Sequence, residues 1–270
     1  MKYNVQPPAA ALAPYVECLW TLEGSAAELG GVPQAILPDG RPELVLHFGD
    51  PFDRLSEDDS AQRQPAILFA GQLTSQLRLH PTGRIAIVGV RLHAHGAGAL
   101  FRAPMDQLTG LTIGVDAISR PLSECLLEVR DSAATIEEAT RAVQGRLAAL
   151  AAAERIDPVV RFAVDAIQAR SGLLSIEQLA STTGITRRHL ERRFRAAVGI
   201  PPKRLARIAR LQRAIQMLDG LEARNKGAVT AAACGYADQA HFVRDCRDLC
   251  GHAPAALLEQ RAQLTGFFLA

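Results

Sequence analysis

The chain of 270 residues has no long apolar run, no paired cysteine motif and almost no net charge. Its Ala-rich stretch from Leu147 to Ala153 falls far short of the ~20 apolar residues that a membrane helix needs. The five cysteines, at 18, 125, 234, 246 and 250, are an odd set without a C-x-x-C pair. That argues against a disulfide-stapled secreted domain and for reduced thiols in the cytoplasm. Pro7, Pro8 and Pro14 interrupt the N-terminus, which reads poorly as a signal peptide. No phosphate-binding glycine loop, G-x-S-x-G or paired-carboxylate pattern is present.

What is there is ordinary globular composition, 48% hydrophobic and 21% charged, with 21 Gly and 15 Pro. The length accommodates one or two domains with their own cores. The net charge of +2 hides an asymmetry. Residues 1–170 carry 15 basic and 20 acidic side chains, whereas residues 171–270 carry 15 and 8. Only the C-terminal part is therefore expected to meet a polyanion.

Between residues 32 and 92, short Leu- and β-branched-rich runs alternate with Gly, Pro and Asp. Leu44–Phe48, Ala66–Ala70, Gln76–His80 and Arg84–Leu92 read as antiparallel strands of a sheet or small barrel. Pro38-Asp39-Gly40-Arg41-Pro42 reads as a turn. The polar segment Asp50–Gln64, with Leu55 as its only aliphatic residue, is expected to be a long loop. From Pro121 the apolar spacing changes to three and four. Leu122, Cys125, Leu126 and Val129 fit one amphipathic helix, and Ile136, Ala139, Val143, Leu147 and Leu150 fit another. Asp157-Pro158 opens a third, with Asp as cap and Pro at the first helical position.

The basic third contains two helix-turn-helix patterns. Ser175-Ile176-Glu177-Gln178 fits a capping box, Gly184 a turn, and Thr186 the cap of a second helix, RRHLERRFRAAVG. On that helix Leu190 and Phe194 share one face, and Arg188, Arg192 and Arg195 lie opposite, flanked by His189 and Glu191. A buried stripe backed by arginines suits insertion into a major groove, where Arg binds guanine or phosphate. A plain solvated charged face is the alternative. A linking helix follows, with Lys203, Arg210 and Arg213 opposite its Leu/Ile stripe and a span of roughly 27 Å from Pro201 to Leu218. The second unit places Val229–Cys234 before Gly235, and Asp238 caps a helix from Gln239 to Leu249. Phe242 and Cys246 face inward there, with Ala240, Arg244 and Arg247 outward and His241 beside them.

Residues 172–260 resemble the DNA-binding domain of the AraC/XylS transcription regulators. Gly235-Tyr236-Ala237-Asp238-Gln239-Ala240-His241-Phe242-Val243-Arg244, then Gly251-His252-Ala253-Pro254, is similar to the family's G-F/Y-x-D-x-x-H/Y-F-x-R and G-x-x-P signature. Leu179-Ala180, RRHLERRFR and Gly199-Ile200-Pro201-Pro202 match the first unit. The resemblance implies DNA reading by Arg188, Glu191 and Arg192 and by Gln239, Ala240, His241 and Arg244. Arg187, Arg195, Arg210 and Arg247 complete the expected DNA-binding set. Cys246 stands where the family has an aromatic, and Asp245 and Asp248 are expected to weaken the second unit's positive field.

ILPDGRPELVLHFGD and GVRLHAHGAGALFRAP resemble, more faintly, the cupin-like sensor domains of such regulators. The expected fold is α+β, with an antiparallel β domain to about residue 115 that continues as helices to 155. An all-α domain of two helix-turn-helix units, 156–270, follows. The implied partners are double-stranded DNA, RNA polymerase, a small-molecule effector and a second copy of the chain, with no membrane, no cofactor and a non-enzymatic role. A metalloenzyme fused to a DNA-targeting module, using His47, His80, His93 or His95, stays open as a second reading, and an effector-free architectural DNA binder as a third. Cys246 and Cys250, with His241 and His252, form a further candidate metal or redox cluster, for which burial is the competing account.

Overall fold

The computed structural model describes residues 1–152, 155–219 and 226–256. The end of the expected DNA-binding domain, 257–270, and the stretches 153–154 and 220–225 lie outside the described residues. The strands are β1 (Lys2–Gln6), β2 (Val16–Ser25), β3 (Gln34–Ile36), β4 (Glu43–His47), β5 (Asp53–Leu55), β6 (Ala61–Arg63), β7 (Ile67–Ala70), β8 (Leu77–His80), β9 (Arg84–Leu92) and β10 (Thr112–Gly114). They form two antiparallel sheets, ordered β1-β2-β9-β4-β7-β10 and β3-β8-β5-β6.

The period-two geometry of strands sorts the residues of the larger sheet. Leu44 and Leu46 of β4, and Val88, Val90 and Leu92 of β9, are fully buried on one face. They pack with Leu126 of α2 (Arg120–Ser132) and with Val143 and Leu147 of α3 (Ile136–Ala151). Glu43, Val45 and His47, with Ile87 and Arg91, point to the opposite face and line a cavity walled also by Leu77 and Leu79 of the smaller sheet. Because both faces are covered, β9 reads as a continuous apolar run rather than an alternation.

One expectation is corrected. The segment Asp50–Gln64 is not wholly loop, since β5 and β6 form an antiparallel hairpin with Asp53 opposite Arg63. Its residues are half to fully exposed, so no burial periodicity marks them in the sequence. The N-terminal twenty residues supply β1 and half of β2, which pairs along nearly all of β9. A short helix, α1 (Gly96–Phe101), follows β9.

The helices beyond residue 155 are α4 (Pro158–Ala169), α5 (Ile176–Thr183), α6 (Arg187–Val198), α7 (Pro202–Asp219), α8 (Lys226–Ala233) and α9 (Gln239–Cys250). The expected caps are in place. Asp157 accepts from Val159 and Val160, Ser175 and Gln178 form the reciprocal box, and Thr186 and Asp238 cap α6 and α9. One core unites Val164, Ile167, Leu190, Phe194, Ile208, Leu211, Phe242 and Leu249. Leu37 and Ala94, from the β-rich part, belong to that same core.

Candidate nucleic-acid interface

The first unit builds its outer face by burying the inner one. Leu190, Phe194 and Val198 of α6 are fully buried, and Gly184, at φ +68°, turns the chain between α5 and α6. Arg188, Arg192 and Arg195 are exposed on the far side. With Lys203 and Arg207 they line an open groove of about 690 Å³, at whose edge stands one acid of the β-rich part, Asp106. Arg187 is held in place by its Nε donating to Glu191 at 2.9 Å and its guanidinium also reaching Glu177. The exposed arginines thus present guanidinium donors to solvent, a chemistry that suits phosphates or guanine edges, and Arg187–Glu191 forms a preset pair beside them.

Arg193, in the middle of the same run, does something else. It donates twice to Asp157, at 2.7 and 2.6 Å, and fastens α6 to the N-terminus of α4. Burial pushes the Asp157 carboxyl up, but hydrogen bonds from Arg193 and from the α4 amides outweigh it, and the carboxyl lies below its usual range.

The second unit repeats the pattern. Phe242, Cys246, Leu249 and Cys250 of α9 are fully buried, while Gln239, Ala240, Arg244 and Arg247 are exposed. His241 is half-buried, its ring edge-on to Tyr236 at 5.2 Å. Cys246 and Cys250 are core residues, and burial pushes the Cys246 thiol up, away from the reactive thiolate. Among the described residues no group of three or more His, Cys, Asp or Glu could hold a metal ion. His93 and His95 stack on each other at 5.2 Å, and burial drives His95 down to about 4.

The linking helix α7 divides its arginines between tasks. Arg210, expected at the DNA, donates to the Gly172 carbonyl at 3.0 Å and lies over the Tyr236 ring. That assignment to the internal packing of the fold was not legible because both partners are distant in sequence. Arg207 binds Asp245 through two bonds, at 3.0 and 2.7 Å, and Asp248 at 2.7 Å, which Arg204 also reaches. Asp245 is only 3% exposed. These two acids therefore tie α9 to α7 and fix its angle, with Asp245 turned inward and Asp248 still exposed on α9.

The α7 helix also closes the cavity of the β-rich part. That cavity has a volume of about 260 Å³, and Gln212 and Gln216 of α7 are part of its wall. The Pro38–Pro42 turn rests on the same helix. Gln212 Nε2 donates to the Pro38 carbonyl at 2.6 Å, and Gly40, at φ +80°, lies so close to Leu205 that a Cβ would meet it at 2.6 Å. Sequence reading missed this cavity. The turn was visible, but not what it leans on.

The β-rich part grips α6 as well. Thr109 Oγ1 donates to the Gly199 carbonyl at 2.8 Å, and a Cβ on Gly98 would lie 2.7 Å from the Ala197 carbonyl oxygen.

Comparison with known proteins finds two family matches. Residues 4–114 match a domain of unknown function, DUF6597, and residues 179–260 match a helix-turn-helix domain. No curated protein matches the chain. Among solved structures, apo ToxT from Vibrio cholerae strain SCE256 is 10% identical, with 96% of this chain and 100% of that chain covered and a TM-score of 0.47. ToxT from the same strain bound to an unsaturated fatty acid is 12% identical, with 98% and 96% covered and a TM-score of 0.45. The AraC-like transcriptional activator CuxR is 15% identical, with 86% and 90% covered and a TM-score of 0.26. The helix-turn-helix match spans both units, and the Gly235–Arg244 segment is seated on α9 and its cap, so residues 179–260 form a helix-turn-helix domain of the kind found in DNA-binding transcription regulators.

Proposed function

We propose that this regulator reads a specific operator by placing α6 and α9 in successive major grooves on one face of DNA, about 34 Å apart. A small molecule held between the two sheets controls it. Arg188, Glu191 and Arg192 read or position the first groove, and Arg187 and Arg195 support them. Gln239, Ala240, His241, Arg244 and Arg247 serve the second. Residues 1–155 act as sensor and residues 156–270 as DNA-binding part, in the cytoplasm and without a catalytic step. RNA polymerase and a second copy of the chain complete the set of partners.

The observation that carries this reading is the double duty of α7. The helix that joins the two reading helices is also a wall of the cavity, through Gln212 and Gln216. A ligand that moves that wall moves the relation between the two units. The test is footprinting on a selected operator. Two protected major-groove segments one helical turn apart are expected, about 10–10.5 base pairs centre to centre. Protection of one segment alone, unchanged by Arg244→Ala, would show that only the first unit reads DNA.

A further inference from the structure

The cavity between the sheets carries a charge pattern that selects its ligand. Three carboxylates line it, Glu17, Asp39 and Glu43, against two guanidiniums, Arg41 and Arg91. Arg41 Nε pairs with Glu17, and Arg91 Nε donates to Glu43 at 2.9 Å. One carboxylate more than the guanidiniums can balance therefore faces the cavity. Asp39 sits on the turn against α7, where its Oδ1 accepts the Arg41 amide at 2.9 Å. Away from these charges the wall is apolar, with Leu22, Phe52, Ile87 and Leu79.

A second, independent feature points to an occupant. His47 lines the same cavity and is 1% exposed; Gln64 beside it is its one polar neighbour, and the ring is otherwise without a hydrogen-bond partner. A buried polar group in this state is costly without a partner, so an incoming polar group is favoured there. At about 260 Å³ the cavity lies just below the usual ~300–1,000 Å³ of ligand sites. The ligand is correspondingly small.

We propose that the cavity binds a small amphipathic amine, its cationic end on the carboxylates beside α7 and its apolar body between the sheets. A hydrogen-bonding group at the far end of such a ligand would meet His47. The inference rests on the effector reading above and names the chemistry of that effector. A cation restores charge balance inside a poorly solvated site, whereas a carboxylate would add a second uncompensated negative charge. Tyr3 and Trp20, with ring centroids 6.3 Å apart, supply aromatic faces at the same end.

The chain contains a single tryptophan, and it lines this cavity. Its fluorescence therefore reports binding without a label. Octylamine, octanoate and octanol, which share one apolar body, are titrated against the full chain at neutral pH. Octylamine is expected to bind at least about tenfold more tightly than the other two, a ratio worth about 1.4 kcal/mol. Asp39→Asn is expected to abolish the preference, with circular dichroism confirming that the variant is folded. Should the variant not fold, the wild-type chain gives the same answer by pH. Burial pushes Asp39 up to about 6, with Arg91 opposing and Glu43 adding to the rise. Octylamine affinity is then expected to fall on going from pH 7 to pH 5. His47, driven down to about 4 by burial, stays neutral across that window, and Gln212 and Gln216 of α7 do not titrate.

Equal or tighter binding of octanoate or octanol, an amine affinity indifferent to pH, or no response to any of the three overturns the amine assignment. Operator affinity with and without octylamine separates the two levels of the argument. Amine binding that leaves operator affinity unchanged keeps the ligand class and removes the control by effector. Octanoate binding that changes operator affinity does the reverse.

Discussion

Arg192 and Arg193 are neighbours in an arginine-rich run, and their replacements should fail in opposite ways. Arg192 is exposed on the groove face of α6. Arg193 is half-buried and gives both its hydrogen bonds to Asp157, at 2.7 and 2.6 Å, with side-chain exposures of 29% and 28% for the pair. Hydrogen bonds to charged groups contribute ~1.5–3 kcal/mol each in mutational series, and partial solvation places this pair toward the lower end of that range in total. Arg193→Ala should therefore cost about 2 kcal/mol, or roughly 4–8 °C in Tm for a chain of this size. Among folded molecules its operator binding should keep the wild-type salt dependence. Arg192→Ala should leave Tm within about 1 °C, the effect of a surface change of a few tenths of a kcal/mol. It should instead weaken operator binding by ~1–3 kcal/mol if it reads a base, or flatten the slope of log K against log salt by about 0.9 if it neutralises a phosphate. The assays are thermal unfolding and operator titration at several salt concentrations. A double-mutant cycle of Arg193→Ala with Asp157→Asn should return a coupling above ~0.5 kcal/mol. The reasoning is refuted if Arg193→Ala flattens the salt slope by about one while its Tm is unchanged.

Other expectations follow from the same geometry. Gly98→Val forces a side chain against the Ala197 backbone, so a loss of ~1–3 kcal/mol by overpacking should appear in denaturant unfolding. Asp245→Ala leaves Arg207 only its exposed partner Asp248; a loss of about 1–3 kcal/mol in stability and weaker protection of the α9 half-site are expected, and a footprint identical to wild type would contradict the angle-fixing role. Stability should also depend on acid in a defined way. His47 and His95 are both held neutral by burial to about 4, so below about 6.5 the unfolded chain takes up protons that the fold refuses and stability falls. Asp39, raised to about 6 by burial, works in the opposite sense over the range between about 6 and 4. Two groups lose and one gains, so the net loss should be about 1.4 kcal/mol per pH unit in that range, and Asp39→Asn should roughly double it in equilibrium unfolding.

What could be read from the sequence was what depends on near neighbours. The caps Asp157, Ser175, Thr186 and Asp238 act within three residues, and each stands where its side-chain chemistry placed it. The inward faces of α6 and α9 follow from helical period alone. The hairpin β5–β6 escaped because it buries too little to leave a pattern. Arg193 and Arg210 look like their neighbours in the sequence, yet their partners lie 36 and 38 residues away. The cavity draws its wall from Tyr3 to Gln216, so no local window contains it.

The clasp on α6 has a consequence for how the two halves coexist. Ala197 and Gly199 lie under Gly98, Met105 and Thr109, and Leu37 and Ala94 complete the core of the helical half. The DNA-binding half is therefore packed against its companion and shares part of its core with it. Cut away from its companion, it would show these apolar positions to water and tend to stick to itself or to other chains. The β-rich half thus acts as an intramolecular escort for the helical half. Exchange of β-rich halves between chains of this build would need matched small residues at this seam, and Gly98 is the position at which a mismatched graft would first be felt.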